Sequence, residues 1–318
     1  IIITATNCLS IVGFLENNIK IKNLKNFFIS SVMNDWVKLC DIKNYNKNIL
    51  FSCNDFKNPN YGLRYSSGGG GIYIMNTKEN NYFNILKGQF RCIRLYKKNV
   101  YISIEQFKGL VIFFNLKGKI LKKINLKIYK SDNFSSANLC GLAIDRKKEL
   151  LYISDTFTDQ IYVLSIKLKK IIKKINFSSI YKVSKSYHHI NDLYLKGQNL
   201  YVSYFSKKGK WKQNIFDGGV TKINLKNNKR KILIKNLTKP HSIKFAKNKY
   251  IICNSVKGEF IMDGKIKGNF PGFLRGIDFD ENYFYLGQSE TLYMSRFKSK
   301  FNNIMNNSII IYSGNDIG

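Results

Sequence analysis

Short apolar runs that close on a polar or small residue recur along the chain. They are Ile1-Ile2-Ile3-Thr4-Ala5-Thr6-Asn7, Ile49-Leu50-Phe51-Ser52-Cys53-Asn54 and Val100-Tyr101-Ile102-Ser103-Ile104-Glu105, followed by Leu151-Tyr152-Ile153-Ser154-Asp155. Leu200-Tyr201-Val202-Ser203-Tyr204, Tyr250-Ile251-Ile252-Cys253-Asn254 and Phe284-Tyr285-Leu286-Gly287-Gln288 complete seven copies. β-Branched and aromatic residues dominate each, the composition strands prefer. A second apolar run follows most copies, as in Gly109-Leu110-Val111-Ile112-Phe113-Phe114 and Gln160-Ile161-Tyr162-Val163-Leu164. A polar turn and a third run that mixes apolar and polar positions come next, as in Ile120-Leu121-Lys122-Lys123-Ile124. That mixture predicts an outer strand with one solvated face.

A leading strand precedes six of the seven copies. Its pattern is a polar residue, a small or variable one, an aliphatic, any residue, then an apolar one. Aligned, the leading residues are Asp35, Arg91, Cys140, Asn191, His241 and Arg275, spaced by 56, 49, 51, 50 and 34 residues. Four short strands repeated at this period predict an all-β fold, a β-propeller of four-stranded blades. Seven blades are expected, with six as the alternative if the N-terminal strands complete the last blade. The last copy shows no clear partner strand after Gln288, so a single propeller domain over residues 1–318, incomplete at its termini, is the expectation. Residues 55–71, rich in Gly and Ser, and residues 204–218 around Trp211 interrupt the pattern and read as loops.

Composition changes this picture modestly. The formal net charge is +33. The lysines are spread through turns such as Lys97-Lys98, Lys147-Lys148 and Lys207-Lys208, with no nucleic-acid-binding motif, which argues against a nucleic-acid surface. A general attraction to anions is the physical consequence. Six cysteines occur without a Cys-x-x-Cys pair. Most sit in apolar strand patterns and read as reduced, buried thiols, so a reducing, cytoplasmic location is expected. No apolar run reaches the length of about 18 residues that a membrane span needs. The chain begins with Ile1, so an N-terminal segment that targets it elsewhere is left open.

In a propeller the leading strand lines the central channel. The leading residues should therefore form a polar ring at one mouth, with His188, His189 and Asp192 beside it. Asp155, Asn54, Asn254 and Glu105, at the ends of the second strands, should lie near. His241, Arg275, Arg91, Asn191, Asp192, Asp35 and His189 are the expected ligand-binding residues. Two arginines and a histidine suit a small anionic molecule, because guanidinium pairs with carboxylate or phosphate in a fork. The equal alternative is that these groups pair with one another, Arg275 with Asp35 or Asp192, and close the channel. A protein partner held by the rim loops is a further reading.

The segment from Leu142 to Asp155 and Gln160-Ile161-Tyr162-Val163 resembles blades of the NHL-repeat and SMP-30/gluconolactonase-like propellers. Pro240-His241-Ser242, Gly258-Glu259, Pro271-Gly272-Phe273-Leu274-Arg275-Gly276 and Gly287-Gln288-Ser289 resemble a family of uncharacterised bacterial propeller proteins. The first resemblance implies a divalent-metal-dependent hydrolase, with Asn191, Asp192 and Asp155 as hard-oxygen ligands. The chain departs from it in lacking a Glu at the start of the first recognisable blade. No cofactor is called for otherwise, and no Gly-x-Ser-x-Gly elbow supports a serine hydrolase.

Overall fold

The computed structural model describes residues 2–4, 48–53, 71–76, 81–128, 138–178, 186–213, 215–246, 248–270, 272–281, 283–289 and 308–313. These residues form strands in six sheets. The first contains β1 (Ile2–Thr4), β2 (Asn48–Cys53), β3 (Gly71–Asn76) and β4 (Asn81–Lys87). The second contains β5 (Phe90–Lys97), β6 (Val100–Glu105), β7 (Leu110–Phe114) and β8 (Ile120–Asn125). The third runs β9 (Leu139–Asp145), β10 (Leu150–Asp155), β11 (Gln160–Ser165) and β12 (Lys170–Asn176). The fourth is β13 (Ile190–Lys196), β14 (Asn199–Tyr204), β15 (Gly218–Asn224) and β16 (Arg230–Leu237). The fifth is β17 (Pro240–Ala246), β18 (Lys249–Asn254), β19 (Glu259–Met262) and β20 (Lys265–Asn269). The last has three strands, β21 (Phe273–Phe279), β22 (Tyr283–Ser289) and β23 (Ser308–Ser313).

Sequence order equals sheet order throughout, which is the meander of a propeller blade. The count is six rather than seven, and the two ends of the chain explain the difference. The run at Ile1 starts no sheet of its own. Its three residues Ile2–Thr4 pair in parallel with β2, Ile2 opposite Leu50, and so occupy the leading position of the first sheet. At the other end Ser308–Ser313 pairs antiparallel with β22, Gln288 opposite Ser308, supplying the partner that the sequence does not reveal. β1 also lies against β21. The leading strand expected at Asp35 and the Gly-rich loop before Gly71 fall outside the described residues.

The chain divides into two compact units, Phe90–Lys244 and the remainder, Ile1–Gln89 with Phe245–Gly318. In the first, adjacent blades share cores. Cys92, Ile104 and Phe113 from one blade pack with Leu142, Ile153 and Tyr162 of the next. Ala143, Tyr152 and Val163 then pack with Leu193, Val202 and Ile223 of the one after. In the second unit Cys253, Phe260 and Met262 pack with Ile277, Phe284 and Ile310. Burying side chains of this size stabilises by about 1.5–3 kcal/mol each, relative to leaving them exposed. The middle strand β11 is buried along its whole length, whereas β12 alternates with its lysines outward, as its pattern predicts.

Some of the basic residues stitch blades together. Arg230 donates to the carbonyls of Phe177 (2.6 Å) and Asn176 (2.5 Å), and Arg146 to that of Leu95 (2.6 Å). Lys122 reaches the carbonyl of Ile166 at 2.9 Å. These cations satisfy carbonyls at the blade edges that the sheet ladder leaves open.

Buried phenols give the fold an alkaline limit. Burial, then a hydrogen bond donated to Glu149, pushes Tyr96 from 10.0 up to about 12. Burial and the nearby Asp217 carboxylate raise Tyr204 to about 12 as well, and burial raises Tyr285 further. Because the folded values exceed the unfolded one, this contribution is complete below about pH 10. It is lost as pH climbs from there towards 12. The last part of the tyrosinate absorbance, from these phenols, should therefore appear in step with loss of β circular dichroism. Early, non-cooperative titration of all the tyrosines would contradict this account.

Candidate functional site

The leading residues share a backbone irregularity that strict alternation does not anticipate. Pairing of β5 with β6 slips between Arg91 and Ile93, and that of β13 with β14 between Ile190 and Leu193. The same slip occurs on β21 between Leu274 and Ile277. At or beside the slip, Cys92 and Gly276 take φ of 51° and 90°, and Ser242 on β17 takes 61°. A bulge inserts one extra residue and re-aims the side chains around it. Neighbours that would alternate between faces are consequently both buried, Arg91 with Cys92 and Asn191 with Asp192. A signal for this does exist in the sequence. It is the recurring polar–small pair in Arg91-Cys92, Cys140-Gly141, His241-Ser242 and Arg275-Gly276.

A serine of the second strand holds the bulges of β5, β9 and β13. The Ser103 hydroxyl donates to the Arg91 carbonyl at 3.1 Å, and Ser203 Oγ accepts from Asp192 N at 2.9 Å. Ser154 does more. Its Oγ accepts from Gly141 N at 2.7 Å in its own blade and donates to the Asn191 carbonyl in the next. Side chains extend this seam across the unit that spans Phe90–Lys244. The Cys92 thiol donates to the Cys140 carbonyl (2.9 Å) and lies 3.5 Å from Asp192 Oδ1. Asp192 Oδ2 accepts from Ser242 N at 2.8 Å. Asn191 Nδ2 lies 2.9 Å from His241 Nε2, and His241 Nδ1 lies 2.9 Å from the Lys239 carbonyl. A carbonyl only accepts, so Nδ1 carries the proton and Nε2 accepts from the Asn191 amide.

The structure thus brings Asn191, Asp192 and His241 together and seals them, each no more than 6% exposed. Arg91 is also buried but turns to another chain of bonds. Its Nε donates to Gln106 Oε1 (3.0 Å), and Gln106 Nε2 donates to Asn138 Oδ1 (2.5 Å). Arg275 is buried on β21 in the other unit. Asp35 and Asn54 lie outside the described residues. Glu105 accepts from Lys108 N at 2.5 Å within its own turn, and Asn254 donates to Glu259 Oε2 at 2.6 Å.

The oxygen donors implied by the hydrolase resemblance do not fit a divalent ion. Asp155 accepts from Asn138 N (3.0 Å), Phe157 N (3.0 Å), Thr158 Oγ1 (2.8 Å) and the Tyr162 hydroxyl (3.1 Å). Asp192 is engaged separately, as described. Among the described residues no group of three or more His, Cys, Asp or Glu side chains is gathered to hold a metal. Cys92, Cys140 and Cys253 are buried.

All three histidines of the chain lie near one another, as the alignment expects, but in an aromatic cluster that it does not reveal. His189 stacks on Phe205 with centroids 4.2 Å apart, and His241 meets the same ring edge-on at 5.2 Å. Trp211 covers His189 from 4.4 Å and donates its indole N–H to the Ser186 carbonyl. His188 packs edge-on against Phe177 and Tyr187, and its Nδ1 lies 2.9 Å from the Ser206 carbonyl. Asp159, in the turn after β10, anchors the segment. Its Oδ2 accepts from Tyr187 N (2.7 Å) and His188 N (2.6 Å), and its Oδ1 from Ile190 N (3.1 Å). Burial raises the Asp159 carboxyl, and these amides pull against that shift.

Comparison with known proteins adds a partial match. The family described as a domain of unknown function, DUF4915, matches residues 178–308. That span holds the three histidines, Asn191, Asp192, Trp211 and Arg275. No curated protein matches the chain. Solved structures that resemble it include U3-55K, at 12% identity and TM-score 0.44, covering 63% of this chain and 58% of that one. The β-propeller domain of Myceliophteria thermophila Cps50 (Swd1) aligns at 10% identity and TM-score 0.40, over 70% of this chain and 71% of the other. The WD40 repeats of RRP9 align at 12% and TM-score 0.43, over 63% and 57%. The chain thus spans less than two thirds of U3-55K and of RRP9. No helix among the described residues is long and apolar enough to cross a membrane.

Proposed function

We propose that the chain is a recognition propeller that holds an anionic partner, with its polar leading residues serving as framework between blades. The observation that carries this reading is the buried seam. The Asn191 amide bonds to His241 and the Asp192 carboxylate to Ser242 N, both on the next leading strand, a geometry that orders blades. A net charge of +33 then sets the class of partner. Long-range attraction would gather anions to the surface, most strongly at low ionic strength.

Titrating the protein with polyglutamate and, separately, with citrate tests the reading. The expected result is salt-sensitive binding of the polymer, weakening as ionic strength rises towards physiological values. Absence of binding to either probe at low salt would sink the proposal.

A further inference from the structure

We infer that the loop Lys207–Lys212 is the docking surface for an acidic protein segment. This rests on the anionic-partner reading and gives it an address. Lys207-Lys208-Gly209-Lys210-Trp211-Lys212 places four lysines in six residues, and all four are exposed. The nearby carboxylate does not neutralise them. Asp217 is turned onto the loop backbone, where it accepts from Ser206 Oγ (2.5 Å), Lys207 N (2.9 Å) and Lys208 N (3.1 Å). No ammonium group of the four is ion-paired among the described residues.

The loop is also built to stay in place. The Trp211 ring packs on His189 and against Phe205, and Lys212 lies over that ring at 5.3 Å. Gly209, at φ +74°, packs so closely on the Tyr187 ring that a Cβ would clash. Lys210 N donates to Ser206 Oγ at 3.1 Å, closing the turn. A loop whose backbone is held from beneath loses little backbone freedom when a partner binds, so less of its attraction is offset by ordering. The same anchoring selects the partner. The Trp211 ring is engaged by His189, Phe205 and Lys212, which works against its stacking on bases or entering a lipid interface. What remains is an array of ammonium charges, suited to the carboxylates of an extended acidic segment.

The test is binding of fluorescent polyglutamate to the full chain and to the variant K207E/K208E/K210E/K212E. A control carries the same reversal at the exposed turns, K117E/K119E/K226E/K229E. Four screened pairs predict a loss of at least about tenfold in affinity for the loop variant, beyond the loss in the control. The neutral variant K207Q/K208Q/K210Q/K212Q should fall between, with unchanged circular dichroism. Equal losses in loop variant and control would overturn the assignment while leaving the anionic-partner reading standing. No binding by the unaltered protein would overturn that reading first. Preferential, loop-dependent binding of single-stranded DNA or of anionic vesicles over polyglutamate would also overturn the assignment.

Discussion

Asp159→Ala lowers the unfolding free energy by about 3 kcal/mol, a loss built from bonds of a carboxylate to backbone amides. The side chain is 2% exposed and accepts from three amides of the segment that carries His188 and His189. Without it, Ile190 N is left buried with no acceptor, while Tyr187 N and His188 N can turn partly to water. Asp159 also sits at φ 50°, where Ala adds roughly 1 kcal/mol of strain and Asn adds little. Asp159→Asn is therefore the milder change, costing about half as much: it avoids burying a charge but sets an NH2 group against one of the amides. Denaturant titration gives the free energies. Hydrogen exchange supplies the local check, because amides 187, 188 and 190 should exchange faster in the Ala variant than neighbours in β14. Unchanged exchange at those three amides would refute the anchoring role.

Gly141→Ala is expected to be comparably damaging, for a different reason. A Cβ at Gly141 would collide with the Asn191 carbonyl and come within 2.7 Å of Ser154 Oγ and 2.9 Å of Leu193 N. Two of these three atoms are backbone of the next blade, so no rotamer change relieves the contact. The leading strands β9 and β13 must separate, which strains packing by about 1–3 kcal/mol. It also breaks the bridge from Ser154 to Asn191 and with it the position of the Asn191 amide against His241. The matched control is Gly197→Ala. Unlike Gly141, that glycine has a positive φ, +58°, and nothing lies within 4 Å of an added Cβ, so only backbone strain of about 1–2 kcal/mol applies. Thermal unfolding compares the two. Because the chain has only three histidines, the imidazole NMR signal of His241 is a direct reporter of the broken bond. A Gly141→Ala protein as stable as the unaltered one, with the His241 signal unmoved, would refute the seam.

Much of the architecture is legible in the sequence because blade strands are local objects. Arg91, Cys140, Asn191 and His241 each stand second in their leading strand, and Arg275 third, as a common pattern requires. The outer strands keep their lysines outward wherever alternation predicts it. The blade count was not legible, because a three-residue strand such as Ile2–Thr4 looks the same whether it opens a sheet or completes another. His188 and His189 were legible as neighbours of the ring residue His241, but the aromatic rings that join them were not. Nothing in the run His188-His189 announces that Phe205 will lie between His189 and His241, since those rings come from three separate segments.

Hydrophobic periodicity by itself determined most of the strands and the leading positions Arg91, Cys140, Asn191, His241 and Arg275, because side-chain alternation follows directly from extended backbone. Composition determined the charge. Tertiary structure alone decided what the leading residues do. The bulges tuck Asn191, Asp192 and Arg91 inward, and the close approach at Gly141 sets the neighbour each one meets. It also decided which lysines stay unpaired, since Asp217 could have met the ammonium groups of its loop and instead binds the backbone beneath them. Such outcomes depend on which backbone lies beside which, and a pattern read along one strand carries no record of its neighbour.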